Sequence, residues 1–140
     1  LHFRAKLKVS DITQSDLLIG LCETDTTLLA TSSAHAIAVS GDGLFFHKLD
    51  GVTTLSVSTY LDGAETHTAD YGTALTTDSF TVEIDWDGST VKYYVDNTLV
   101  SSTNASLPDG DLTLSLNYRA GAAAAVTLSL YDMRCIQLRG

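Results

Sequence analysis

The chain has 140 residues, enough for one domain that buries roughly two-thirds of its unfolded surface without a metal or disulfide. Its 17 acids against 8 bases give a net charge of −9, which argues against general affinity for nucleic acid or anionic membrane. Charged residues are only 18%, below the usual share of about a quarter, and the Thr- and Ser-rich remainder suits sheets that meet neighbours in an assembly.

Residues 1–9 alternate cleanly: Phe3, Ala5, Leu7 and Val9 on one face, His2, Arg4, Lys6 and Lys8 on the other, as in a half-buried strand. No acid occurs in this stretch, so Arg4, Lys6 and Lys8 form a same-face row of cations. The row reads either as a docking stripe for an acidic partner or as the solvated face of an edge strand guarded against aggregation. Residues 11–16 make a polar connection. Residues 17–22 are a continuous apolar run of strand length, the pattern of a strand covered on both faces. Residues 23–33 read as a Thr-rich loop, with a short helical turn expected at Leu28-Leu29-Ala30. Residues 36–39 and 44–48 flank Ser40-Gly41-Asp42-Gly43, a hairpin signal.

Residues 54–61 form the next strand, with Leu55, Val57 and Thr59 opposed to Ser56, Ser58 and Tyr60. Asp62-Gly63 and Tyr71-Gly72 bracket a polar strand around residues 65–69. Phe80, Val82, Ile84 and Trp86 then alternate with Thr81, Glu83, Asp85 and Asp87, giving one apolar and one acidic face. Asp87-Gly88-Ser89 supplies a turn, Val91, Tyr93 and Val95 restart the alternation, and Asp96-Asn97 turns again before Leu99-Val100. Pro108-Asp109-Gly110-Asp111 is a turn cluster. Leu112, Leu114, Leu116 and Tyr118 line one face of a late strand, and Val126, Leu128, Leu130, Met133 and Cys135 mark the last one. About ten to twelve short strands, with turn signals roughly every eight to twelve residues, predict an all-β antiparallel β-sandwich or jelly roll in which residues 1–140 form a single domain.

Cys22 and Cys135 lie near opposite ends of the chain. Two free thiols are expected, in keeping with assembly in a reducing cytoplasm; a bridge between first and last strands is the alternative. No stretch approaches the roughly 20 apolar residues needed to cross a bilayer, and the alanine-rich run 120–126 is read as a link between strands. The chain starts at Leu1, within a strand pattern, so a short upstream segment is expected.

Three stretches carry a resemblance. They are residues 3–21, with Arg4-Ala5-Lys6-Leu7-Lys8-Val9 and Leu17-Leu18-Ile19-Gly20-Leu21; then Asp42-Gly43-Leu44-Phe45-Phe46; and Tyr93-Tyr94-Val95-Asp96-Asn97-Thr98-Leu99-Val100. Together they resemble tailed-bacteriophage virion proteins with a concanavalin A-like sandwich, over almost the whole chain but without that family's usual first strand. The resemblance implies a structural role, most specifically a capsid decoration or cement protein on the virion surface, assembled in the host bacterial cytoplasm. It implies the major capsid protein and further copies of the same chain as partners, with a trimer favoured, and neither nucleic acid nor membrane. Arg4, Lys6 and Lys8 are then the candidate capsid-facing or subunit-facing residues. The runner-up is a tail-fibre or carbohydrate-binding adhesion module, for which Tyr60, Tyr71, Tyr94 and Tyr131 are candidate stacking residues.

Chemical alternatives are weaker. Retaining glucanases of this fold carry Glu-x-Asp-x-Glu on one strand, and Glu83-Ile84-Asp85-Trp86-Asp87 nearly spells it. The chemistry needs two carboxyls about 5–5.5 Å apart, one with a raised pKa. Here the last acid is the shorter Asp87, beside Gly88, and Trp86 is expected on the opposite face, away from any shared sugar cleft. Asp85, Asp87, Asp42, Asp109 and Asp111 have a faint calcium-loop look that turn chemistry also explains. The four His residues have no zinc-like spacing, and no Gly-x-Ser-x-Gly elbow occurs. No cofactor, no metal and no enzymatic activity are expected.

Overall fold

The computed structural model describes residues 1–25, 27–30, 35–121 and 125–137. It contains β1 (His2–Val9), β2 (Ser15–Cys22), β3 (Gly43–Lys48), β4 (Thr54–Leu61), β5 (Ala64–Ala74), β6 (Phe80–Trp86), β7 (Val91–Val95), β8 (Thr98–Thr103), β9 (Thr113–Ala120) and β10 (Leu128–Ile136). Two five-stranded sheets result, in the orders β10-β1-β6-β7-β8 and β5-β4-β3-β2-β9, and their strand pairs are antiparallel. Part of the alanine-rich run, residues 122–124, lies outside the described residues. Among the described residues no helix is long and apolar enough to cross a membrane.

Alternation builds the core. Phe3, Ala5 and Leu7 of β1, Val82 and Ile84 of β6, and Tyr93 of β7 face Leu17, Ile19, Leu44, Phe46 and Val57 of the other sheet. Lys6 and Lys8 of β1 stay exposed on the outer side. β2 is buried along its whole length, as its unbroken apolar run predicts. Leu18 and Cys22 point away from the main core into a second cluster with Leu28, Leu29, Val39 and Phe45. Residues 27–30 and 35–39, between β2 and β3, thus fold over the outer face of the sheet.

That segment departs from the sequence expectation. Leu28-Leu29-Ala30 is extended rather than helical: Leu29 bridges Ile37, Ala30 N–H donates to Ala36 O at 2.8 Å and Ala38 N–H to Leu28 O at 2.9 Å. Residues 36–39 therefore pair back along this arm and not with β3, both of whose edges are taken by β2 and β4. The arm lets Leu28, Leu29 and Val39 all reach Leu18 and Phe45. Tyr71-Gly72 also does not end a strand. β5 runs through it with an irregular register against β4, where Gly72 takes φ +74°. The Asp96-Asn97 turn matches its prediction, with both residues at positive φ (48° and 64°), the geometry of a two-residue hairpin.

The two flanks of the sandwich differ. β8 meets β5 and β6 meets β3 between the sheets, which leaves β10 and β9 together at the other end of the two strand orders. On the first flank His67 Nε2 lies 2.8 Å from Ser101 Oγ, tying the sheets together. On the second, Leu114 and Leu130 sit on the inner faces of β9 and β10, opposite Leu21 and Leu7, yet remain 45% and 42% exposed. The thiols of Cys22 and Cys135 are both free, one in each sheet.

Candidate functional site

The Glu83–Asp87 ladder is built as the alternation predicts, but each carboxylate has its own structural partner. Arg4 Nε donates to Glu83 Oε1 at 2.9 Å and Arg4 Nη1 to Asp132 Oδ2 at 3.1 Å. His2 Nδ1 lies 2.5 Å from Asp85 Oδ1 across the β1–β6 pair. Asp87 lies past the last residue of β6, and its Oδ1 accepts from Ser89 N–H (2.8 Å), Ser89 Oγ (2.9 Å) and Thr90 N–H (2.8 Å). These turn donors hold the Asp87 carboxyl below the usual range, the opposite of what a general acid requires.

The cationic row occupies the outer face of β1. Arg4 is committed to Glu83 and Asp132, whereas Lys6 and Lys8 project into solvent. At the opposite end of the β1–β6 pair, where β6 ends, a shallow depression of about 270 Å³ is lined by Leu1, Asp85, Trp86, Asp87, Thr90, Lys92 and Tyr94. Trp86 packs partly against the main core, as its alternation requires, yet it lines the same depression as Asp85 and Asp87. This corrects the expectation that Trp86 stays apart from the acids: β6 ends there, and a wide ring at a strand end reaches both surfaces. The Trp86 Nε1–H is buried without a partner among the described residues.

Of the other tyrosines, Tyr131 is 60% exposed on β10. Tyr60 packs against Phe45 with ring centroids 5.3 Å apart and planes tilted by 39°, and Tyr71 packs partly against the core.

Asp42 joins three loops. It is 2% exposed and accepts from the N–H groups of Asp62 (2.8 Å), Asp109 (2.8 Å) and Gly110 (2.9 Å). Burial acts to raise its pKa, but the three N–H donors outweigh this and hold it below the ordinary value. Glu23 Oε2 in turn accepts the Asp42 N–H at 3.2 Å. Among the described residues no group of three or more His, Cys, Asp or Glu is placed to hold a metal ion.

Two polar clusters went unread in the sequence. On the outer face of the β2 sheet, Ser58 Oγ donates to Glu65 Oε1 at 2.6 Å and lies 3.0 Å from His47 Nε2. The Ser58 proton is thereby committed to the carboxylate and the side chain is fully buried, so the hydroxyl is not set up as a nucleophile. Burial pushes the His47 imidazole down, against the pull of Glu65 and Asp70. At the start of β2, Asp16 is 1% exposed and meets His35 Nδ1 at 2.7 Å, Arg119 Nε at 3.5 Å and the Asp50 N–H at 2.7 Å. Arg119 Nη1 also donates to Ala30 O. This cluster pins the arm between β2 and β3 to the sheet. Only strand register brings these side chains together, and register is not legible in one sequence.

No protein-family model and no curated protein sequence matches the chain. Solved structures do. A β-1,3-1,4-glucanase (lichenase) derived from a mouse hindgut metagenome superposes with TM-score 0.68 at 14% identity, covering 94% of this chain and 63% of that one. A Bacillus licheniformis β-glucanase gives 0.63 at 15% identity, with the same two coverages of 94% and 63%. The Emp47p carbohydrate recognition domain gives 0.61 at 17% identity, covering 94% and 70%. The fold is the concanavalin A-like lectin/glucanase sandwich. At these identities the likeness concerns the fold alone, and the chain spans 63% of the length of both glucanases.

Proposed function

We propose that this chain is a non-catalytic sandwich that works by presenting surface to other proteins, as a structural subunit of a tailed-phage virion and most specifically a capsid decoration protein. The observation that carries the reading is the open flank, where inner-face leucines Leu114 and Leu130 stay 45% and 42% exposed. Apolar side chains on the core side of a sheet but in water are surface awaiting cover. Engagement of Glu83, Asp85 and Asp87 by Arg4, His2 and the Ser89–Thr90 turn supports the non-catalytic part. The sequence resemblance supports the phage part, with the major capsid protein and copies of this chain as partners. Contacts that exist only in the assembled shell would stabilise it by mass action. Within the cationic row, Lys6 and Lys8 have free heads for an acidic capsid surface, while Arg4 shapes the strand that presents them. The test is co-sedimentation of the purified chain with empty tailed-phage heads, with Lys6→Glu/Lys8→Glu as the weakened variant.

One observation favours the second reading, a glycan-binding adhesion module. Tyr94 shares its depression with Asp85, Lys92 and Trp86, a grouping that offers a stacking face beside hydrogen-bonding groups. The likeness to a structure described as a carbohydrate recognition domain supports it at the level of fold. Under this reading a glycan array gives saturable binding that Tyr94→Ala abolishes; the decoration reading gives none.

A further inference from the structure

We infer that the open flank is a self-association surface, on which a second copy of this chain docks by antiparallel pairing of β10 with β10. The inference rests on the reading of the chain as an assembly subunit and deepens it by naming the partner, with a two-fold pair in place of the trimer that the resemblance favours. Along this flank the inner faces carry Leu114, Leu116 and Tyr118 from β9 and Leu128, Leu130 and Met133 from β10. Each strand is the last of its sheet, so among the described residues one row of its N–H and C=O groups has no neighbouring strand. Apolar seam and open ladder together are a template for strand addition.

Charge selects β10 among the four edge strands. β8 has no charged residue, β9 has Arg119 and no acid, and β5 has Glu65 and Asp70 but no Lys or Arg. Only β10 carries both signs, as Asp132 and Arg134, whose side chains are 41% and 54% exposed. They flank Met133 on the outer face. A two-fold axis through Met133 sets Asp132 of each copy opposite Arg134 of the other and turns both seams toward one another, the self-complementarity an isologous interface requires. Within one chain Arg134 Nε reaches Asp132 Oδ2 only at 3.7 Å, and Asp132 also holds Arg4, so Arg134 has capacity for a better-placed carboxylate. Tyr131, the extra residue at the irregular register step between β1 and β10, sits 60% exposed at the end of this short ladder.

The experiment is light scattering on the purified chain from micromolar to hundreds of micromolar, with variants chosen to spare the fold. The wild type should show a concentration-dependent dimer. Arg134→Glu, which sets acids against acids, should weaken it at least tenfold, and Arg134→Lys should retain most of it. Leu130→Lys should also give monomer, and Val52→Lys, on an exposed loop, should leave the dimer intact. Unchanged thermal unfolding of each variant separates lost association from lost fold. Met133→Cys in a Cys135→Ser background should give a disulfide-linked dimer on oxidation, whereas Leu99→Cys on β8 should not. A monomer at every concentration, a dimer indifferent to Arg134→Glu, or a cross-link at position 99 and not at 133 would overturn the inference. If the wild type stays monomeric yet co-sediments with empty heads, the self-pairing fails and the assembly reading stands; a dimer that ignores heads gives the reverse.

Discussion

The hydroxyls of Thr59 and Tyr93 meet 2.8 Å apart in the middle of the core and join the two sheets, one residue on β4 and the other on β7. Both side chains are fully buried, and Tyr93 Oη also donates to Ser58 O at 3.1 Å. Burial pushes the Tyr93 phenol well above its ordinary range, so it remains a neutral donor at any ordinary pH. A polar bridge inside an apolar sandwich fixes how the sheets are aligned, because sliding either one orphans two buried polar groups.

Tyr93→Phe should therefore destabilise the chain by about 1–3 kcal/mol, the cost of stranding the Thr59 hydroxyl and the Ser58 carbonyl. Thr59→Val in the Tyr93→Phe background should add less than it does alone, since the shared partner is already gone. Urea unfolding of the two single variants and the double variant measures this. Strict additivity would show that the two hydroxyls do not act together.

Asp42→Ala should cost about 1–3 kcal/mol, because three partly buried N–H···carboxylate bonds from two separate loops lose their one acceptor. The carboxylate's depressed pKa sets the sign of its pH dependence. Its contribution is fully present above the ordinary value of 3.8 and is lost as pH falls through the lower folded-state value. Unfolding midpoints between pH 6 and 2 should fall more gently in Asp42→Ala than in the parent; parallel curves would contradict this.

His47 acts in a higher window. Burial depresses its pKa below 6.5, so the folded chain keeps it neutral where the unfolded chain takes up a proton. Stability should then decline as pH falls below 6.5, with a slope of at most about 1.4 kcal/mol per pH unit for the single proton. His47→Gln should flatten that part of the profile. Equal slopes in parent and variant between pH 7 and 5 would remove His47 as the cause.

Much of the fold was legible because alternation is a local signal. The inward set of β1, the two-sided burial of β2 and the turn at Asp96-Asn97 all follow from spacing of two and from residues that accept positive φ. The arm over Leu18 and Phe45 was not legible, since its course depends on a second cluster whose members Leu18, Phe45 and Tyr60 are brought together by the pairing of β2, β3 and β4. The carboxylates of Glu83 and Asp85 were read correctly as one face, but their partners Arg4 and His2 lie about 80 residues away in sequence and are delivered by the β1–β6 register. The clusters around Ser58 and Asp16 were hidden for the same reason.

Gly20 shows a constraint that only the sheet reveals. A Cβ there would stand 2.3 Å from Leu44 O and 2.6 Å from Phe45 Cα on the adjacent strand. Backbone cannot move aside as a side chain tip can, so Gly20→Ala should cost about 3 kcal/mol. It should also disturb the contact of Phe45 with Tyr60 of the next strand, β4, read as a change in near-ultraviolet circular dichroism. Wild-type stability in Gly20→Ala would mean that β2 and β3 lie further apart than described.

The central claim is that this sandwich serves an assembled shell and performs no glycan chemistry. Its most direct test is quantitative co-sedimentation of the purified chain with empty tailed-phage heads, with and without excess mixed β-glucan oligosaccharide. The account predicts binding that saturates at a fixed ratio to the capsid subunit and is indifferent to the oligosaccharide. Failure to sediment with heads, together with saturable binding or cleavage of the oligosaccharide, would contradict it.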